Sequence, residues 1–118
     1  MSQANVECVK FVIYVQDMDR AVVFYRGVFG LGLKYFSEHW SELTFGDAIV
    51  ALHGGGAGQR TETGLSFQVA DAVSACAAVE QGGGAIAAPP ESRPGEPILL
   101  ARAVDPEGNG FMISQFVG

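Results

Sequence analysis

Few residues of this 118-residue sequence have the types and spacing that chemistry requires. Gly54-Gly-Gly-Ala-Gly58 is the kind of run that cradles a phosphate group, but no Gly-Lys-Ser/Thr follows it. The run also precedes an expected strand rather than a helix, so we interpret it as part of a flexible linker and not as a phosphate loop. Cys8 and Cys76 lack the spacing of a metal site, and we expect both to be buried thiols in a reducing compartment.

The composition limits the class of protein and the class of partner. Thirteen Asp and Glu residues against seven Lys and Arg give a formal charge of −6. Because a negative field repels phosphate backbones, nucleic acid is not an expected partner. No apolar run approaches the roughly twenty residues that span a bilayer, and residues 1–7 lack the pattern of a signal peptide. We therefore expect one globular domain that is cytoplasmic and does not bind membranes.

An internal repeat with an offset of 54 residues organises the sequence. The run Phe11–Val15 matches Leu65–Val69, and both are typical of strands. Asp17 and Asp71 follow at the same distance, where each carboxylate can cap a helix. Apolar residues then recur at helical spacing, and glycines near positions 30 and 82–84 are expected to end the two helices.

Three further strands are predicted after each helix, so each copy is a βαβββ unit, covering residues 6–54 and 63–117. The predicted strands are Leu33–Ser37, His39–Phe45 and Ala48–His53 in the first copy, and Ala85–Ala88, Ile98–Val104 and Gly110–Phe116 in the second. The run Asp105–Gly110 supplies the last turn. The Pro89–Pro97 stretch is predicted to be a long loop, in a position to cover a site.

The order of these elements, together with three short motifs, resembles the vicinal oxygen chelate superfamily. The motifs are Phe24-Tyr25 in the first helix, Gly30-Leu31-Gly32 after it, and Asp105-Pro-Glu-Gly-Asn109 before the last strand. The superfamily includes glyoxalase I, the bleomycin-resistance proteins and the extradiol dioxygenases, and the resemblance covers residues 6–117. It implies an α+β fold, in which two βαβββ modules form a curved, incomplete barrel with the helices outside and a cleft within. It also implies a homodimer.

The enzymes of that superfamily hold a divalent metal in the cleft, usually with His or Gln, Glu, His and Glu at four positions. The residues at those positions here are Lys10, Ala51, Gly64 and Met112. A charged ammonium has no lone pair, and the other three residues offer no hard donor. Because a divalent ion needs about three or four donors in fixed geometry, we predict no metal and no cofactor. A shifted site would have to use His53, His39, Glu38 or Glu42, of which only His53 is expected to point into the cleft.

If the implied geometry holds, strand alternation places the polar ends of a few side chains in the cleft, among apolar side chains that line it. The expected ligand-binding residues are Lys10, Tyr14, Trp40, Ala51, His53, Met112 and Ser114. Such a set suits a planar, partly apolar small molecule that bears an anionic or carbonyl group, with Lys10 and His53 as the candidates for any catalysis.

Each of these residues also has a purely structural interpretation. Lys10 can lie along the sheet edge with its ammonium in water, and His53 can be a hydrogen-bonded residue at a strand end. Trp40 can belong to the core or form an aromatic wall, and Met112 can fill the volume of a missing metal ligand.

Three functions remain open on this sequence. The first is a metal-free binding protein that sequesters a small molecule, as bleomycin-resistance proteins do. The second is a lyase or dioxygenase-type enzyme, with a shifted metal or with Lys10 and His53 transferring protons, although no carboxylate base has an expected place in the cleft. The third is a degenerate scaffold that associates with a partner, which a filled cleft would favour.

Overall fold

Two βαβββ units follow one another along the chain, in the order that the repeat predicts. The first unit consists of β1 (Lys10–Val15), α1 (Met18–Phe29), β2 (Gly32–Tyr35), β3 (Trp40–Phe45) and β4 (Ala48–Gly54). The second consists of β5 (Thr61–Gln68), α2 (Ala72–Gln81), β6 (Ala85–Ser92), β7 (Ile98–Val104) and β8 (Asn109–Phe116). This is a computed structural model, which describes residues 2–118.

Each unit forms one four-stranded sheet, and the two sheets have equivalent topology. The strand order is β1-β4-β3-β2 in the first and β5-β8-β7-β6 in the second. β1 is parallel to β4 and β5 is parallel to β8, whereas the other pairs are antiparallel. Over residues 2–118 the sheets do not join into a closed barrel. The predicted α+β fold of two βαβββ modules is confirmed.

One apolar core is shared by both units, between the helices and one face of each sheet. Tyr25 of α1 is fully buried, and its ring centroid lies 6.0 Å from that of Phe111 on β8. Phe29 stacks on Phe67 of β5 with a centroid distance of 4.0 Å. Each sheet therefore has one face in this core and an opposite face outside it.

Both helices begin at the aspartates that the repeat predicts. The side chains of Asp17 and Asp71 each accept a hydrogen bond of 3.1 Å from the amide three residues further on. Gly30 ends α1 with a φ of 67°, a left-handed conformation that favours glycine. No helix within residues 2–118 is long and apolar enough to cross a membrane.

The Asp105–Gly110 turn of the second unit also caps the helix of the first. The carboxylate of Glu107 is buried and accepts hydrogen bonds of 2.8 Å from the amides of Gln16 and Asp17. Its other oxygen accepts one of 2.6 Å from Nε of Arg20. A negative charge is stabilised at a helix N-terminus, so this turn fixes the two units together.

The prediction of a long loop at Pro89–Pro97 is wrong. β6 continues to Ser92, so Pro89 and Pro90 lie within a strand and the loop shrinks to residues 93–97. An edge strand tolerates proline because one of its sides needs no N–H donor. β6 is the edge of its sheet, and its register is irregular between Ala88 and Glu91.

The prediction that Cys8 is buried is also wrong. Cys8 is exposed and precedes β1, because pairing with β4 begins only where Lys10 meets Ile49. Cys76 is buried on α2, as expected.

Candidate functional site

Strand register gathers most of the candidate side chains of the first unit on the face that points away from the core. On β1, Ile13 and Val15 are buried in the core, so the alternate residues point the other way. The aligned rows across β1, β4 and β3 are Lys10, Ile49 and Thr44, then Val12, Ala51 and Glu42, then Tyr14, His53 and Trp40. We call this the inner face of the first sheet.

An ion pair lies at the centre of this inner face. Lys10 Nζ donates to Glu42 Oε2 over 2.8 Å, and Trp40 Nε1 donates to the same oxygen over 2.8 Å. The ammonium also lies 5.7 Å from the centroid of the Trp40 ring. The Lys10 side chain is 37% exposed, whereas that of Glu42 is only 10% exposed. Lys34 Nζ approaches the second oxygen of Glu42 to 3.9 Å.

These contacts shift the pKa values of Lys10 and Glu42 so that the charged form of each side chain is favoured. The hydrogen bond to Glu42 raises the pKa of Lys10, against the opposing effect of desolvation. The hydrogen bonds from Lys10 and then Trp40 lower the pKa of Glu42. At neutral pH Lys10 is therefore a fixed cation rather than a base, and Glu42 is a weak proton acceptor.

Two rings beside the ion pair form an aromatic surface. The centroids of Tyr14 and His53 lie 4.6 Å apart with an interplanar angle of 31°, and Trp40 meets His53 edge-on at 6.0 Å. His53 Nδ1 lies 2.6 Å from the carbonyl oxygen of Gly54. Because a carbonyl only accepts, Nδ1 carries the proton, and the neutral ring keeps its lone pair on Nε2.

Met112 and Ser114 lie on the second sheet, apart from the Lys10 cluster. Ala101 and Ile113 are buried in the core, so the residues that alternate with them occupy the inner face of the second sheet. Its rows are Ser66, Met112 and Arg102, then Gln68, Ser114 and Leu100, across β5, β8 and β7.

The edges of β1 and β5 face each other across a cavity of about 470 Å³. Val12 and Tyr14 line it from the first unit, and Gly64 lines it from the second. A Cβ atom at Gly64 would lie 3.7 Å from the ring of Phe11, in ordinary contact. Of the predicted ligand-binding residues, Tyr14 borders this open volume.

The residues at the four metal-ligand positions of the resembled family do not fit a divalent ion. Lys10 presents an ammonium already bound to Glu42, and Ala51 is fully buried without a donor. Gly64 and Met112 offer no hard donor. Among the residues that the structure describes, no group of three or more His, Cys, Asp or Glu side chains could hold a metal ion.

Glu42 is the site residue that sequence reasoning missed. The expectations that only His53 among the alternative donors points into the cleft, and that no carboxylate has a place there, are both wrong. Trp40 is one of the predicted ligand-binding residues, and Glu42 lies two residues further along β3, hence on the same face. Extending the alternation from Trp40 would have found it.

Comparison with known proteins agrees with this architecture, although no curated protein matches the sequence significantly. A glyoxalase/bleomycin resistance protein/dioxygenase family enzyme from Burkholderia phytofirmans PsJN is 18% identical, with a TM-score of 0.77 over 91% of this chain and 96% of that one. A genomically encoded fosfomycin resistance protein from Listeria monocytogenes is 13% identical, with a TM-score of 0.76 over 97% and 94%. An integron cassette protein from the mobile metagenome of V. cholerae is 25% identical, with a TM-score of 0.69 over 98% of both chains. The family model of the Glyoxalase/Bleomycin resistance protein/Dioxygenase superfamily matches residues 8–113, and the chain belongs to this superfamily.

Proposed function

We propose that the protein is a metal-free, small-molecule-binding member of its superfamily. The observation that carries this proposal is the bonded cluster of Lys10, Glu42 and Trp40 on the inner face of the first sheet. Lys10 stands at the first metal-ligand position, so an ammonium group is itself the fixed cation there. A divalent ion beside it would be repelled by that charge and would lack donors.

The cluster favours a ligand with a carbonyl or anionic oxygen next to a planar group. An ammonium has three N–H donors, and Glu42 occupies one of those on Lys10. The other two remain for a ligand oxygen, since about a third of the side chain is exposed. Tyr14, which is 58% exposed and packs against His53, supplies a ring face on which a planar group can stack.

The raised pKa of Lys10 favours binding over proton transfer by this residue. The hydrogen bond to Glu42 stabilises the ammonium, so Lys10 does not lose its proton near neutral pH. A role as an anchor uses the permanent charge, whereas a role as a general base needs the neutral amine.

A metal-free enzyme is the second candidate, and one contact of His53 favours it. The Gly54 carbonyl fixes the ring with its proton on Nδ1, which leaves the lone pair of Nε2 without a protein partner among the described residues and free to act as a base. Lys10 would then stabilise a developing oxyanion. The third candidate, a scaffold with a filled cleft, is less well supported because of the open volume beside Tyr14.

We further propose that the protein is a homodimer. Its accessible surface of 7129 Å² exceeds the about 6,100 Å² typical of a folded monomer of this mass. Residues 2–9 are exposed and add to this total, so the stronger support is the exposure of large apolar side chains such as Phe45, at 75%.

The decisive experiment is a titration of Trp40 fluorescence, since this is the single tryptophan of the chain. A panel of aromatic acids, quinones and aldehydes should contain compounds that give saturable quenching. Lys10→Ala should weaken their binding at least about tenfold, because hydrogen bonds to charged groups are worth roughly 1.5 to 3 kcal/mol. Arg93→Ala, which removes an exposed cation of the second unit that pairs with Glu96, is the control and should change affinity less than about threefold. A panel without any saturable quenching or thermal shift would contradict the proposal.

A further inference from the structure

Lys34 is a second cation beside the bonded cluster of Lys10, Glu42 and Trp40. Its Nζ atom lies 3.9 Å from Glu42 Oε1, whereas Lys10 and Trp40 donate to the other oxygen, Oε2. A separation of 3.9 Å is too long for a hydrogen bond, so Glu42 uses none of the three N–H donors of Lys34. Two ammonium groups thus lie within 4 Å of one carboxylate.

A bulge in β2 places Lys34 at this cluster. Leu33 is opposite Leu43 and Tyr35 is opposite Glu42, so β2 has one more residue than β3 over this stretch, and the extra residue is Lys34. A bulge of this kind sets two residues of one strand opposite a single residue of its partner. Lys34 and Tyr35 therefore share the position opposite Glu42, and the Tyr35 ring is 55% exposed.

The three charged side chains together carry a surplus of one positive charge. Glu42 balances Lys10, with which it is hydrogen-bonded, and the charge of Lys34 remains. The Lys34 side chain is 58% exposed, so a ligand can reach its ammonium group. In a chain with a net charge of −6, an anion needs such a local surplus to overcome the surrounding negative field.

Open volume adjoins Lys34 on its other side. Lys34 lines a cavity of about 850 Å³ together with Thr44, the member of the Lys10 row on β3. Glu7 and Asp47 also line this cavity, but among the described residues neither comes within 4 Å of the Lys34 ammonium. Two carboxylates at its border disfavour a second negative group on a ligand.

We propose that Lys34 and Lys10 together bind the acidic group of a planar ligand that carries a single negative charge, such as an aryl or arylalkenyl carboxylate. This inference rests on the proposed binding function and makes it more specific. The ligand oxygen at Lys10 is then anionic rather than a neutral carbonyl, and Lys34 is a further binding residue. A neutral carbonyl needs only the free donors of Lys10, whereas a full negative charge gains from the second ammonium.

The test observes the two lysines directly, because the chain contains no others. The ε-methylene NMR signals of isotope-labelled lysine are recorded during titration with cinnamate and with cinnamamide, at constant ionic strength. The two probes share a planar ring and a carbonyl and differ in charge. The variants are Lys34→Gln, Lys34→Arg and the control Arg93→Gln, which removes an exposed cation that pairs with Glu96. Lys34→Gln is expected to fold, because the side chain is exposed and its one ion pair is long.

In the wild type, cinnamate should shift both lysine signals along one saturation curve and bind at least about tenfold more tightly than cinnamamide, the scale of a hydrogen bond to a charged group. Lys34→Gln should reduce this preference at least about threefold, as for a partly exposed charge pair, and change the affinity for cinnamamide less than about twofold. A merely structural role of Lys34 would instead weaken both probes alike. Lys34→Arg should keep most of the preference, and Arg93→Gln should keep all of it.

The results that would overturn the inference differ from those that would overturn the binding function. A shift of the Lys10 signal without one of Lys34, or an unchanged preference in Lys34→Gln, would contradict the role of Lys34 and leave the binding function standing. Equal affinity for cinnamate and cinnamamide would contradict the anionic ligand class. No shift with either probe, while members of the aromatic panel quench Trp40, would also contradict this class, whereas a panel without any ligand would contradict the proposed function and this inference together.

Discussion

Lys10 and Glu42 form an ion pair across an intervening strand. Their Nζ and Oε2 atoms lie 2.8 Å apart, although β4 runs between β1 and β3. Strands two apart are separated by roughly 10 Å, so both side chains must extend over β4. There β4 carries Ala51, which is paired with Glu42 and fully buried. The position at which the family's enzymes hold a metal-binding glutamate thus carries a side chain small enough for the ion pair to pass over it.

The first prediction concerns the charge of Glu42. Glu42→Gln keeps an acceptor for Trp40 but removes the carboxylate that stabilises the ammonium, so the pKa of Lys10 should fall toward its ordinary value. The chain contains only two lysines, Lys10 and Lys34, so NMR can follow the titration of each labelled lysine separately. Lys34 is the internal control, with a much smaller change. An unchanged Lys10 pKa would mean that the ion pair does not form in solution.

The second prediction is the pH dependence of the stability that this pair contributes. The pKa of Glu42 is lowered on folding, so its contribution is present above the unfolded value of about 4.3 and is lost as pH falls through the folded pKa. The pKa of Lys10 is raised, so its contribution is lost as pH rises through a value above 10.5. The difference in free energy of unfolding between wild type and Glu42→Gln should be flat from about pH 5 to 10 and shrink outside that window. Urea unfolding across the range measures it, and a difference that peaks near pH 7 would point to a histidine instead.

Strand periodicity and the repeat predicted the βαβββ order and the capping aspartates, which depend on local geometry with a fixed period. The expectation that Lys10, Tyr14 and His53 share one face came from the geometry that the family resemblance implies. The pairing of Lys10 with Glu42 depends on which strands are neighbours, and the strand order β1-β4-β3 is not contained in the alternation of any one strand. The extension of β6 through two prolines was missed for the same reason, because only its edge position makes them tolerable.

The third prediction compares two caps of the same helix. Asp17→Ala removes one hydrogen bond at an exposed cap and should cost about 1 kcal/mol of unfolding free energy. Glu107→Ala should cost more, about 3 kcal/mol, because it leaves two backbone amides and the Arg20 guanidinium without their buried acceptor. Denaturant unfolding of both variants decides the order. Equal losses would mean that the turn of the second unit does not hold α1 in solution.

The fourth prediction is that the purified protein retains no stoichiometric zinc, nickel, manganese or iron. Lys10, Ala51, Gly64 and Met112 offer one cation and no hard donor, so these four positions supply no set of ligands for such an ion. Elemental analysis after dialysis should find far less than one metal ion per chain, and a chelator should leave the melting temperature unchanged. One ion per chain would support the alternative hypothesis of a metal-dependent lyase or dioxygenase. His53→Ala would then be the first variant to analyse.

The last prediction locates the interface of the proposed homodimer. Phe45, at the end of β3, is 75% exposed and borders an apolar groove of about 400 Å³ that Phe11 and Leu65 also line. A second copy seated there would cover both the ring and the groove, and an exposed apolar patch of this kind is typical of an interaction surface. Light scattering should give twice the chain mass of 12.4 kDa for the wild type, and Phe45→Asp should shift it to the monomer. Val73→Asp on α2, where the side chain is 66% exposed, carries the same change of charge away from the groove and should remain dimeric. A monomeric wild type at micromolar concentration would contradict the dimer, whereas a dimeric Phe45→Asp would place the interface on another face.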